Sequence, residues 1–116
     1  MSTTLYGISN CDTIKKAKKW LEQRGIEYTF HDYRKDGLSE EWLSQTATRL
    51  GWENLLNKRG TTFRQLSEEE KTNLDERKAL ALLLANPAMI KRPVLIHNSN
   101  YHLAFKPAQY EEIFAS

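Results

Sequence analysis

The first thirty-three residues change hydrophobic period twice, and this constrains the fold more than any other feature of the chain. "TTLYGI" (3–8) is short, β-branched and aromatic, and reads as a strand. From Asp12 the period lengthens. Ile14, Ala17 and Leu21 recur at helical spacing, with Lys15, Lys16, Lys18 and Lys19 between them. This predicts an amphipathic helix of about three turns, stopped at Gly25. "IEYTFHDY" (26–33) returns to β-forming residues and predicts a second strand. Two strands joined through a helix lie parallel.

The C-terminal end carries the complementary pattern. "PVLIH" (93–97) predicts a buried strand, "NSN" (98–100) a hairpin turn, and "YHLAF" (101–105) the returning strand. Pro107 suits the first turn of a closing helix that runs to about Phe114. Between the two ends the pattern is helical. Ser39 before Glu40, Glu41 and Trp42 predicts an N-cap, with the helix ending at Gly51. Residues 52–66 predict a short helix, a break at Gly60 and another helical turn. Residues 67–74 and 75–87 predict two further helices, the last ended by Pro87. A length of 116 residues suits a single domain. The expected architecture is α/β and thioredoxin-like, β-α-β then β-β-α, with a helical insertion over about 39–87.

The only cysteine, Cys11, falls between the first strand and its helix. A free cysteine is often an inert buried filler. This one is placed at or beside the helix N-cap, where unpaired backbone N–H groups and the positive helix end favour a thiolate. Lys15, one turn on, adds a positive charge. The loop also lies at the carboxyl end of a strand, where open α/β sheets place their sites. Cys11 is therefore read as a nucleophile. Two-cysteine redox motifs carry a second thiol three residues further on, and here that residue is Ile14. The chain cannot close an internal disulfide, so a second molecule must resolve any adduct. Pro93, in "KRPVLI", occupies the place where a thioredoxin-like fold has a cis proline facing its cysteine. Arg92 before it offers a planar fork for an anion or carboxylate.

Together "LYGISNCDTIKKAKKWLE", "HDYRKDGLS", "LLNKRGTTFR" and "IKRPVL" resemble the arsenate reductase (ArsC) / Spx family, and most its YffB-type bacterial branch. The resemblance implies a thioredoxin-like domain with inserted helices and Cys11 as nucleophile. In arsenate reductases of this type the cysteine attacks arsenate, and glutathione and glutaredoxin reduce the adduct. Three arginines bind the oxyanion. Arg92 matches one of them. Lys106, in "FKP", stands where a second is expected. The third falls near Asn57, with Arg59 two residues later. Lysine is a point charge without the planar fork that suits an oxyanion. The resemblance thus implies an oxidoreductase of the thiol-reductase type with glutathione as co-substrate and no bound cofactor. Arsenate reduction is the first alternative. A regulator that binds RNA polymerase, as Spx proteins do, is the second, although those usually carry a two-cysteine switch.

Other features exclude more than they suggest. A net charge of +2 gives no electrostatic case for nucleic acid. No run of about 18 apolar residues predicts a membrane span. The N-terminus lacks the charged and apolar regions of a signal peptide. With a single cysteine, this points to the reducing cytoplasm. A monomer is expected. His31, His97 and His102 have no metal-ligand spacing. Trp20, Trp42 and Trp52 read as core or core-edge residues.

Overall fold

A computed structural model describes residues 2–115. Its elements are β1 (Thr3–Gly7), α1 (Asp12–Gln23), β2 (Thr29–Asp32), α2 (Glu40–Leu50), α3 (Trp52–Leu55), α4 (Thr61–Arg64), α5 (Glu68–Lys71), α6 (Glu76–Ala85), a 3-10 turn (Pro87–Met89), β3 (Val94–His97), β4 (Asn100–Leu103) and α7 (Pro107–Ile113). The chain forms two compact units. One contains the chain up to Lys35 and again from Arg92 on; the other is Asp36–Lys91.

The first unit carries one sheet of order β2-β1-β3-β4. β1 and β2 run parallel, while β1–β3 and β3–β4 are antiparallel. This is the β-α-β plus β-β-α plan of a thioredoxin-like fold. Leu5 of β1 pairs with Leu95 of β3, so both point to one face. There they meet Ala17 and Leu21 of α1 and Tyr110 of α7, all fully buried. The 3.6-residue spacing of Ile14, Ala17 and Leu21 is what turns these side chains to the sheet and the lysines to solvent. Around Tyr110 the rings of Trp20 and Phe105 pack edge-on, at centroid distances of 5.5 and 4.7 Å.

β2 is shorter than the strand predicted over 26–33, and the reason is how α1 ends. Gly25 adopts φ +67. Its N–H donates to the Glu22 carbonyl at 3.1 Å, and the Ile26 N–H reaches back to Leu21 at 3.0 Å. This is the double closure of a Schellman motif. Ile26 is thereby committed to finishing the helix, and pairing with β1 begins only at Thr29. The hairpin turn also differs by one residue. Asn98 and Ser99 both have positive φ, 50 and 69, and Asn100 already pairs with His97. That is a two-residue loop of the type whose twist suits a hairpin. β4 stops at Leu103, because Ala104 turns to φ 67 and donates its N–H to Pro93 at 2.9 Å.

The second unit is helical. Ser39 caps α2, its Oγ accepting from Trp42 N at 3.0 Å, and Gly51 ends that helix at φ +90. α5 is confined to Glu68–Lys71 by a capping box between Ser67 and Glu70. α6 ends at Ala85, and Pro87 opens the 3-10 turn instead of directly stopping the helix. Leu43, Ala47, Leu55, Leu56, Ala79, Leu83, Met89 and Ile90 supply the unit's buried apolar side chains.

One consequence concerns the core of the first unit. The Tyr110 hydroxyl is buried with no hydrogen-bond partner among the described residues, and burial pushes its ionisation far upward. A buried hydroxyl without a partner contributes nothing against its desolvation cost. Tyr110→Phe is expected to leave stability unchanged or raise it by up to about 1 kcal/mol. Urea unfolding measures this, and a loss above that size would mean that the hydroxyl is bonded.

Candidate functional site

Strand register gathers the chemistry of the first unit at one end of its sheet. β1 and β2 both end there, with Gly7 beside Asp32. The antiparallel pairing of Tyr6 with Val94 brings Pro93 and Arg92 level with the residues that leave β1. The pairing of Val94 with Leu103 does the same for the end of β4. Lys106 follows three residues later as the N-cap of α7. Cys11, Arg92, Pro93 and Lys106, which the sequence separates by up to ninety-five positions, thus belong to one sheet end. The Arg92–Pro93 peptide bond is cis.

Cys11 is the N-cap of α1. Its backbone is extended (φ −147, ψ 128), and its carbonyl accepts from Lys15 N at 3.0 Å. The side chain makes no capping bond, and the thiol is free and partly exposed. Serine or aspartate would commonly cap this position by bonding its side chain to the first turn. Here the position holds a sulfur that makes no such bond and remains available for chemistry. Two charges flank it in opposite senses: Lys15, exposed one turn on, and Asp12, exposed in the first turn. Both are open to solvent, so each acts weakly.

Ile14 fills the position where a second thiol would stand, and it is fully buried. Gly7 makes room for it: a Cβ built on Gly7 would lie 2.3 Å from Ile14 Cδ1. The same position faces Arg92, whose Cγ would be 3.9 Å away. Further out, the Arg92 charge acts on Tyr33. Burial first, then neighbouring Tyr6, push the Tyr33 hydroxyl far up, and Arg92 pulls in the opposite direction. Tyr6, His31 and Tyr33 form a row of rings, at centroid distances of 5.2 and 6.2 Å.

Asp32, within "HDYRKDGLS", is a site residue whose role sequence reasoning missed. It is 4% exposed. Its Oδ2 accepts from Ser9 N at 3.2 Å, and its Oδ1 accepts from Arg34 N at 2.8 Å and Lys35 N at 3.4 Å. Burial alone would raise its ionisation. The backbone donors of Arg34 and Ser9, with the Ser9 side chain and Lys35, outweigh this and hold the carboxyl below its ordinary range. The stabilisation is therefore fully present above pH ~4 and is lost as pH falls through the depressed value. The signal in the sequence was an Asx turn, an aspartate followed two and three residues on by the N–H groups it accepts.

Arg59 belongs to the second unit. Its N–H donates to Asn57 Oδ1 at 3.2 Å. Leu56, Asn57, Lys58, Arg59 and Lys91 line a cavity of about 290 Å³. Among the described residues, no three His, Cys, Asp or Glu side chains are placed to hold a metal ion, and no helix is long and apolar enough to cross a membrane.

The fold and this sheet end define a class: a thioredoxin-like domain with one free cysteine capping its first helix and a cis proline at the facing strand. Comparison narrows the class. The ArsC family model matches residues 6–113, and the chain belongs to the ArsC family. A solved structure named YFFB is 47% identical, with a TM-score of 0.92, over 96% of this chain and 97% of its own. An arsenate reductase (ArsC) related protein from Brucella melitensis is 53% identical with a TM-score of 0.81, over 100% of this chain and 97% of its own. An uncharacterized protein of Haemophilus influenzae is 47% identical over 112 residues, 97% of this chain and 98% of the relative.

Proposed function

We propose that the protein is a glutathione-dependent thiol reductase in which Cys11 is the sole nucleophile. The observation that carries this is the seat of Cys11: the chain's only thiol, uncommitted at a helix N-cap, with a buried isoleucine where a resolving cysteine would be. The thiolate attacks the glutathionyl sulfur of a mixed disulfide, R–S–S–G. A sulfur–sulfur bond forms to Cys11, the original bond breaks, and R–S⁻ leaves and takes a proton. A free glutathione thiolate then attacks the glutathionyl sulfur of the adduct. Oxidised glutathione leaves and the Cys11 thiolate returns. The substrate sulfur is reduced and the sulfur of the free glutathione is oxidised; the other sulfur of the oxidised glutathione was already in a disulfide. Arg92 and Lys106, at the same sheet end, supply positive charge for the carboxylates of glutathione; Lys15, one turn after Cys11, is a further anion-binding candidate. A soluble monomer acting in the cytoplasm, with glutaredoxin as an alternative reductant, fits this chemistry.

The reading is tested by turnover of a small glutathionylated thiol in excess glutathione, with oxidised glutathione recycled by glutathione reductase and followed through NADPH. Steady turnover above the uncatalysed exchange supports it. A rate no higher than that of the protein-free mixture counts against it.

Arsenate is expected to be a poor substrate. The Brucella melitensis relative is an arsenate reductase (ArsC) related protein. In this chain, however, Lys106 and Asn57 stand where the family resemblance implies arginines. Losing one bidentate charged contact costs about 1.5–3 kcal/mol, or roughly ten- to a hundred-fold in affinity. Arsenate-dependent NADPH oxidation with glutathione and glutaredoxin present should stay near background. Lys106→Arg combined with Asn57→Arg should raise it, and robust turnover by the unaltered chain would refute the expectation.

A further inference from the structure

We infer that Asp32 is a positioning residue for Cys11: its buried carboxylate ties the strand-to-helix loop to the end of β2 and so holds the thiol in its N-cap seat. The inference rests on the proposed role of Cys11 and adds to it a residue that no catalytic atom requires.

The geometry carries it. Asp32 pairs with Gly7 in the last register of β1 and β2. Beyond that point the two chains part, one towards Cys11 and the other into the turn at Arg34 and Lys35. The carboxylate spans the gap. One oxygen takes Ser9 N, two residues before Cys11, and the other takes the N–H groups of Arg34 and Lys35. Next to it, Tyr33 N donates to the Gly7 carbonyl at 2.9 Å, a second tie across the same gap. A carboxylate is acceptor-only, and every group facing it in these bonds is a donor. No neutral side chain of this size supplies two accepting oxygens. The Ser9 end of the loop is thereby fixed from β2 and the Cys11 end by the Lys15 N–H, so the loop has little freedom to carry the sulfur away from the helix terminus.

The test is the alkylation rate of Cys11 by iodoacetamide across pH, which requires no glutathione chemistry and so succeeds or fails independently of the proposed reaction. Asp32→Asn keeps the shape but turns an amide donor towards backbone donors. Its alkylation should be roughly ten-fold slower near pH 7, the factor expected for a ten-fold smaller thiolate fraction. The gap should close at high pH, where every thiol is ionised. Thermal unfolding of the variant, measured alongside, separates this from general damage to the fold: the positioning role predicts the slower alkylation in a variant that still unfolds cooperatively. Ser9→Ala, which removes the hydroxyl's bond to Asp32 but keeps the Ser9 N–H, should slow the reaction in the same sense but less than Asp32→Asn. Equal or faster alkylation of Asp32→Asn at neutral pH would overturn the inference, because removing a nearby negative charge without disturbing the loop favours the thiolate. Should Asp32→Asn fail to fold, amide exchange in the unaltered protein decides. The Ser9 N–H is expected to be protected, and exchange at the rate of an unstructured amide would overturn the clamp.

Discussion

With Cys11 replaced by serine, turnover of glutathionylated substrate should fall to the uncatalysed rate, a loss of at least about 10³-fold. The substitution changes one atom, so the N-cap should persist; serine is a good capping residue. What disappears is the nucleophile. A serine hydroxyl is not ionised near neutral pH and is a far weaker nucleophile towards a disulfide sulfur than a thiolate. No second cysteine exists to take over. Thermal unfolding should show Cys11→Ser folded and of near-native stability. A folded variant with residual glutathione-dependent turnover would place the chemistry elsewhere.

The second large effect is expected at Gly7. Its φ is not in the glycine-favouring region, so the residue is needed for space alone. A Cβ there would stand 2.3 Å from Ile14 Cδ1 and 3.0 Å from Ile14 Cγ1, far inside contact distance. Ile14 is 0% exposed and has nowhere to move without repacking α1 against β1. Overpacking of this kind costs about 1–3 kcal/mol, which shifts the melting temperature by roughly 4–8 °C per kcal/mol in a domain of about this size. The cause is checked by a double-mutant cycle. Ile14→Val removes the clashing methyl and should itself cost about 0.5–1.5 kcal/mol. Combined with Gly7→Ala it should recover a large part of the alanine penalty, so that the pair is less destabilised than the sum. Strict additivity would mean that the two residues do not clash.

Local pattern carried most of the fold and little of the site's assembly. The change of period at Asp12, the stop at Gly25 and the proline at 107 are local signals, and α1 and α7 lie where those signals put them. The position of Cys11 at a helix start was legible for the same reason. β2 was overestimated because Ile26 and Tyr28 have strand-forming side chains, whereas the Ile26 N–H is taken by the closure of α1; propensity records the side chain and not the hydrogen bond. Asp32 was unreadable as a clamp, since its role depends on the register that places it beside Gly7 and within reach of Ser9. Ile14 read as an ordinary core residue, and its dependence on Gly7 comes from seven residues of separation folded back across a strand and a helix. Arg92 and Lys106 were singled out through family resemblance; the strand register is what brings them to the same sheet end as Cys11.

The central claim, that Cys11 is a nucleophile whose adduct waits for an external thiol, is tested most directly by intact-mass measurement. The protein is incubated with oxidised glutathione near neutral pH, desalted, and then treated with reduced glutathione. The account predicts the gain of one glutathione per chain, no gain in Cys11→Ser, persistence of the adduct after desalting because no second thiol in the chain can release it, and its removal by added glutathione. An unmodified mass after incubation, with the protein folded and the thiol reduced, would contradict it.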